Sequence, residues 1–387
     1  MENEVGYFKV NKPSIIDLYA LDDINCENII ENIKYIDESV FSNVELGDVK
    51  NNILHVKVTY KDSEFNAYLK IVDNIKNDLK GINKVLVENE KIEKANKTKK
   101  YIKSYIHAKH NYVKAYYVQL KLLALLTKEP LLIVDCTQWC IYSDKYIQHF
   151  LNNHVDIIDS NLFKIKHSND GTLYTEGLER FGIKDVEMNG IEPEYRKACA
   201  AFLSRLSCYF IENGQLSNTC KAYIEVFEKP FYVCLVDIEF ALEELSKRKL
   251  IKVKKRDESL NSNRLFISVH QSENMKTWYR NDEEVLEYLR DSVAYYTSPK
   301  RFNDERELAQ KTVSRTIEIL DEIDDLTNLM ILAKNEEMIA DWYYLSEYYE
   351  DKIILKTNDN SLVIDAGDVI NWNYRGITPL YAYSLEI

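Results

Sequence analysis

Glycine and proline are scarce in this chain, ten and six among 387 residues. That leaves little material for long flexible linkers, and no segment repeats at the period of a solenoid. The sequence has no G-x-x-x-x-G-K-[ST] loop and no G-x-G-x-x-G turn, so nucleotide binding through those loops has no support. It also has no H-E-x-x-H and no G-x-S-x-G, which removes the usual marks of zinc proteases and α/β-hydrolases. No apolar run reaches the ~18–20 residues that a membrane helix needs. Positive charge is in deficit: 50 Lys and Arg stand against 63 Asp and Glu, a net charge of −13. Such a balance repels phosphate backbones and anionic membranes and suits a basic protein partner. The seven cysteines are odd in number and scattered, unlike a disulfide framework, so the reducing cytoplasm is the expected compartment. The first residues lack a basic stretch followed by an apolar core, and no signal peptide is expected.

What is present is ordinary core material. Apolar residues make up 45%, and domains of about 100–200 residues imply two or three units. Abundant Lys, Asn and Ile with 28 Tyr read as the coding bias of a low-GC bacterium. Periodicity then lays out an α+β chain of mixed sheets with packed helices. A small N-terminal α+β domain is expected over 1–85, with a helix capped by Asn25 and a hairpin closed by "KDSE". A Lys- and Glu-rich solvated connector follows. A central α+β domain over 101–250 opens with a long buried helix from 101 to 128, stopped by Pro130. It continues with the strand "LLIVD", a helix capped by Ser143, three strands around 162–188, and a helix ending at Gly214. Residues 265–325 read as a helical connecting region with Asn303 as a cap. Short strands over 326–387 suggest a small β-barrel-like domain.

Few residues suggest chemistry. Cys136 and Cys140 are spaced C-x₃-C beyond a strand, but no second pair follows to complete a zinc site. A buried apolar role is expected for both. His107 and His110 share a face if the helix covers them, with His149 or His154 as further ligands, yet packing explains them as well. Asp135 and Thr137 sit beyond the end of a strand, where ligands gather in sheets with parallel strands; the same side chains cap a loop equally well. The run from Gly171 to Met188 offers Glu176, Glu179, Arg180 and Glu187 together. Burial could split two carboxylates into acid and base. The simpler expectation is a tight corner, with Gly177 and Gly182 in backbone conformations closed to other residues and Arg180 bracing it.

The segment "LFKIKHSNDGTLYTEGLERFGIKDVEM" resembles an uncharacterised bacterial family, domain of unknown function 4026. Thr175, Gly177, Leu178, Arg180, Gly182 and Glu187 match its pattern, and "QLKLLALLTKEPLLIVDCTQW" is also similar. Tyr174 and Glu176 stand where that pattern has histidines, so metal or histidine chemistry does not carry over. The C-terminal part resembles a second such family, domain of unknown function 2314, through Trp342, "KIILKT", Gly367, Asp368, Val369, Asn371 and Trp372; this resemblance implies a small β-barrel. Neither family brings a reaction. Both occur near bacterial toxin-immunity and stress genes, which implies an immunity-like role. The expectation is a cytoplasmic, non-enzymatic protein-binding module for a basic partner, without cofactor, metal, nucleic acid or membrane. The competing expectation is an enzyme or ligand-binding protein with a pocket near Asp135, Thr137, Glu176 and Arg180. The candidate binding residues are Asp135, Thr137, Thr175, Glu176, Arg180, Trp342 and Trp372.

Overall fold

The structure, a computed structural model, describes residues 12–74, 79, 81–85, 87–108, 111–152, 162–168, 171–214, 219–222, 230–247, 264–273, 278–291, 299–322, 325–334, 340–349, 352–356, 361–375 and 379. The chain is α+β, with three sheets and helices packed on them. It divides into two compact units. The first holds Met1–Ser14, His107–Val113 and Ile158–Ser298; the second holds Ile15–Ile106, Lys114–Ile157 and Pro299–Ile387.

The N-terminal sheet contains β1 (Ser14–Ala20), β2 (Asn43–Lys50), β3 (Ile53–Tyr60), β4 (Ser63–Asp73), β5 (Asn83–Val85), β6 (Lys100–Ile106), β7 (Pro130–Asp135) and β8 (Cys140–Ser143). Their order is β2-β3-β4-β6-β1-β7-β8-β5. Strand β3 alternates as its sequence implies, with Leu54, Val56, Val58 and Tyr60 buried. Lys61 and Asp62 both take positive φ, 46° and 60°. A two-residue turn of that hand matches the twist of its strands and fixes the β3–β4 register. The helices are α1 (Cys26–Lys34), α2 (Asn89–Lys97), α3 (Tyr112–Leu125) and α4 (Asp144–Asn152). The Asn28 amide donates to the Asn25 side chain at 2.8 Å, which caps α1 as expected.

The long helix expected from 101 to 128 is corrected. Its first part is the strand β6, whose Lys-Tyr-Ile-Lys-Ser-Tyr-Ile sequence favours extended backbone. The helix begins only at Tyr112, after Asn111 at φ 56°. Once begun, α3 is buried on every face, and even Gln119 is inside, donating to the Ser104 carbonyl and hydroxyl. The N-terminal sheet thus takes strands from both sides of the expected break between 85 and 101.

The second sheet belongs to the first unit. Its strands are β9 (Lys164–His167), β10 (Leu173–Glu176), β11 (Asp185–Met188), β12 (Thr219–Ala222), β13 (Phe231–Asp237) and β14 (Arg264–His270), in the order β12-β13-β14-β11-β10-β9. Helices α5 (Arg196–Asn213), α6 (Ile238–Lys247) and α7 (Glu283–Asp291) accompany it. Strand β14 is a correction, because its residues fell in the expected helical connecting region. Every one of its residues is buried, and it lies between β13 and β11, parallel to β11. A short strand buried on both faces shows no alternation for the eye to find.

The C-terminal module is α8 (Pro299–Glu322) with β15 (Leu329–Lys334), β16 (Ala340–Tyr349), β17 (Lys352–Lys356), β18 (Ser361–Asp365) and β19 (Asn371–Tyr374). The five strands are antiparallel, in the order β18-β17-β16-β15-β19. Among the described residues this sheet is open, not a closed barrel. The expected strand "YAYSLEI" lies outside the described residues. Asn303 is not the cap of α8, which begins four residues earlier at Pro299, a residue suited to a first turn. Among the described residues no helix is long and apolar enough to cross a membrane.

Candidate functional site

The corner from Gly171 to Met188 is built by backbone geometry. Gly177 at φ 110° and Gly182 at φ 76° bracket a single 3₁₀ turn, Leu178–Phe181. Both angles lie where a side chain is strained. Around these glycines most polar groups are engaged. Thr175 is fully buried; its hydroxyl donates to Asp185 Oδ1 at 2.9 Å and accepts the Val186 amide at 2.8 Å. The Leu178 amide donates to the same Asp185 oxygen at 3.1 Å. Arg180 is buried and donates to the Ser14 hydroxyl at 3.4 Å within the same unit. Glu179 pairs with Lys12, and Glu176 with Lys166. Glu187 is fully buried, 3.9 Å from the Arg264 guanidinium and bonded by the Asn189 side chain at 3.1 Å. Arg264 in turn lies 4.5 Å above the ring of Tyr174. The expected corner is what the structure shows.

Sequence reasoning missed Asp185, the hub of that corner. Burial pushes its carboxyl up to about 6, against the lowering effect of the Leu178 amide, the Thr175 hydroxyl and nearby Arg264. Its place two residues before Glu187 on a strand was the available signal, since residues two apart share a face. One outcome for the corner is direct. Gly182→Ala puts an L side chain at positive φ and its Cβ 2.8 Å from the Tyr112 ring. A loss of about 1–2 kcal/mol is expected, seen as a lower thermal midpoint. Gly190→Ala, also at positive φ but with open space around its Cβ, separates backbone strain from the clash.

Asp135 and Thr137 sit in the other unit, in the turn between β7 and β8. Asp135 is fully buried and accepts from the Thr137 amide at 3.0 Å, the Gln138 amide at 3.3 Å and the Gln138 side chain at 2.8 Å. The Thr137 hydroxyl accepts the Ile15 amide at 3.3 Å. These contacts make an Asx-type loop brace. The Cys136 thiol is pushed up, first by burial and then by Asp17, so thiolate chemistry has no support there. His107 follows β6 and is not helical; His110 and His154 lie outside the described residues, as does the side chain of His149. Among the described residues no group of three or more His, Cys, Asp or Glu is arranged to hold a metal.

One further constellation has the outline of a nucleophile, base and acid. Ser268 Oγ is 2.8 Å from His270 Nε2, and His270 Nδ1 is 3.5 Å from Asp282. However, Ser268 is fully buried and its hydroxyl donates to the Trp278 carbonyl. Burial also holds the His270 pKa below its usual value. The group locks the β14 end to the loop before α7.

The two candidate tryptophans part company. Trp372 is fully buried beside Val313, Ile317 and Leu320 of α8, with its indole donating to Thr312 Oγ1 at 3.0 Å. Trp342 is 40% exposed. It alternates along β16 with the buried Tyr343 and Leu345, so it lies on the face turned away from α8. Tyr344, two residues on, is 54% exposed, and Val363 is 57% exposed. Register places Leu332 opposite Trp342, Met330 opposite Tyr344 and Ile354 opposite Val363. Lys334, Lys356 and Glu347 border this row. Among the described residues this face of the sheet is largely apolar and aromatic, with Lys356 opposite Tyr344 and Glu347 opposite Ile354.

Two family models match the chain: protein of unknown function (DUF4026) N-terminal, over residues 16–156, and protein of unknown function (DUF4026) C-terminal, over residues 164–268. The chain belongs to this family. No curated protein and no solved structure matches it. The DUF4026 N-terminal segment contains the Asp135 brace, and the C-terminal segment contains the corner with Asp185, Glu187 and Arg264. Both DUF4026 matches end before the sheet that carries Trp342 and Tyr344.

Proposed function

We propose that this DUF4026 protein is a non-enzymatic protein-binding module that grips its partner with the outer face of the C-terminal sheet. The carrying observation is the exposure of Trp342, Tyr344 and Val363 on one face, with Leu332 and Met330 opposite the first two on β15 and Ile354 opposite Val363 on β17. Monomers seldom leave such patches open without a use. Trp and Tyr supply large contact areas at little entropic cost and dominate interface energetics. The polar groups that suggested a pocket are engaged in bracing turns, which weakens the enzyme reading. The net charge of −13 favours a basic protein partner by raising its association rate, an effect that salt removes over a Debye length of about 8 Å. The immunity-like form of this reading rests on that charge and on what the family resemblance implies.

The test places a photo-cross-linker at Tyr344 in the native host, followed by binding measurements with the purified cross-linked protein. Trp342→Ser and Tyr344→Ser are each expected to weaken binding by about 30-fold or more, the scale of an interface hot spot at about 2 kcal/mol. Added salt should slow association and leave dissociation nearly unchanged. Undiminished binding by the double variant would exclude this face. A captured partner that proves to be a second copy of the chain would replace the proposal with self-association.

A further inference from the structure

A concave site of about 580 Å³ opens in the second unit, between the loop that follows β1 and the end of α2. Its walls bring Lys94, Lys97, Lys99 and Lys100 opposite Asp22 and Asp23. Strands β6 and β1 are neighbours near the middle of their sheet, so the groove sits at the end of two central strands. In a chain of net charge −13, four lysines lining one hollow run against the overall trend.

The carboxylates in the groove have other work. Asp22 accepts the backbone amides of Lys128 and Glu129 at 2.6 and 2.8 Å, and Asp23 accepts the Asn25 side chain at 2.9 Å. Lys94 pairs with Glu90 at 2.7 Å. Lys97, Lys99 and Lys100 form no ion pair among the described residues. Lys94 and Lys97 lie in the last turn of α2, where they complement the helix dipole. Lys99 and Lys100 lie past the helix end, so the dipole does not account for them. The Asn74 side chain fixes the segment between, donating to the Thr98 carbonyl at 2.9 Å and the Ala95 carbonyl at 3.2 Å. The pinned turn fixes where these lysine side chains leave the backbone.

We infer that this groove binds a small organic anion carrying at least two phosphate groups. The volume falls within the range of about 300–1,000 Å³ that small-molecule sites occupy. Lysine is a compact point charge suited to phosphate, and several of them in one hollow favour a multiply charged ligand. Leu21 and Ile24 on the same wall give an apolar portion of the ligand a surface to lie on. The groove shares no lining residue with the aromatic sheet face, so each can be altered by its own variants.

Calorimetric titration of the full chain with inorganic pyrophosphate tests the inference, with citrate as a carboxylate of comparable charge. One pyrophosphate per chain is expected, with citrate weaker by tenfold or more. The double variant Lys97→Gln, Lys99→Gln should weaken pyrophosphate binding at least tenfold; both side chains are exposed, so the fold should persist, as circular dichroism will check. Lys197→Gln, on exposed α5 surface, should change binding less than twofold and controls for general charge. Absence of saturable binding would overturn the inference, as would equal losses in the double variant and the control. Citrate binding as tightly as pyrophosphate would remove phosphate as the ligand chemistry.

Discussion

Trp372→Ala is expected to destabilise the C-terminal sheet by about 3–5 kcal/mol, the cost of emptying a well-packed aromatic site. Trp372 is fully buried and touches the seam where α8 meets the sheet, among Val313, Ile317, Leu329 and Ile331. Strand β19 holds only four residues and lies at the sheet edge, paired to β15 alone among the described strands. Its other large buried side chain is Tyr374, whose hydroxyl donates to Asp325 at the sheet's end. Hydrogen exchange on the full chain is the direct readout, because opening of this module is a local event. Amides of β15 and β19 should lose at least a hundredfold in protection, at about 1.4 kcal/mol per factor of ten, while β3 and β4 stay unchanged. Trp372→Phe keeps most of the volume and gives up the bond to Thr312, so about 1 kcal/mol is expected. Thr312 then still donates to Leu308 at 2.8 Å, which leaves no hydroxyl proton stranded. Unaltered protection in Trp372→Ala would mean that the indole is not the keystone of this core.

The second large effect concerns pH. The Asp185 carboxyl is raised from its ordinary 3.8 to about 6. The folded chain therefore holds this proton more tightly than the unfolded chain does. Stability from this group is complete below about pH 4, falls as pH rises toward 6, and is flat above that. The loss across the window is about 3 kcal/mol, from about two pH units at 1.36 kcal/mol each. Asp185→Asn keeps an oxygen for the Leu178 amide and the Thr175 hydroxyl and removes the charge. The variant is expected to be more stable than wild type at pH 7, with the advantage shrinking toward zero near pH 4. Thermal unfolding of both proteins between pH 4 and 7 measures the difference. A gap that stays constant with pH would show that the carboxyl is not held protonated by burial. Asp185→Ala, which leaves the Leu178 amide without its acceptor, should be less stable than Asp185→Asn at every pH.

Much of this was legible in the sequence. The Asn25 cap, the β3–β4 hairpin, the helix ending at Gly214 and the glycine corner all rest on rules that act within a few residues. So did the membership of DUF4026, carried by Thr175, Gly177, Arg180 and Gly182. Strand β14 was hidden because a segment buried on both sides has no polar face to reveal its period, and the start of α3 because the apolar residues of β6 lead almost directly into those of the helix. Trp342 and Trp372 looked alike as letters, yet register and α8 send one outward and the other into the core. Asp185 read as an ordinary strand residue, and the lysines of the groove as part of a solvated connector.

By itself, the sequence determined most of the elements, several of their turns and the α+β class, because hydrogen bonding and backbone sterics are largely settled among near neighbours. Only the tertiary structure decided which carboxylate is driven toward neutrality, which sheet face is left bare and which lysines face Asp22 and Asp23 across a hollow. Those properties depend on desolvation and on charges far apart in the chain, and neither exists until distant segments pack.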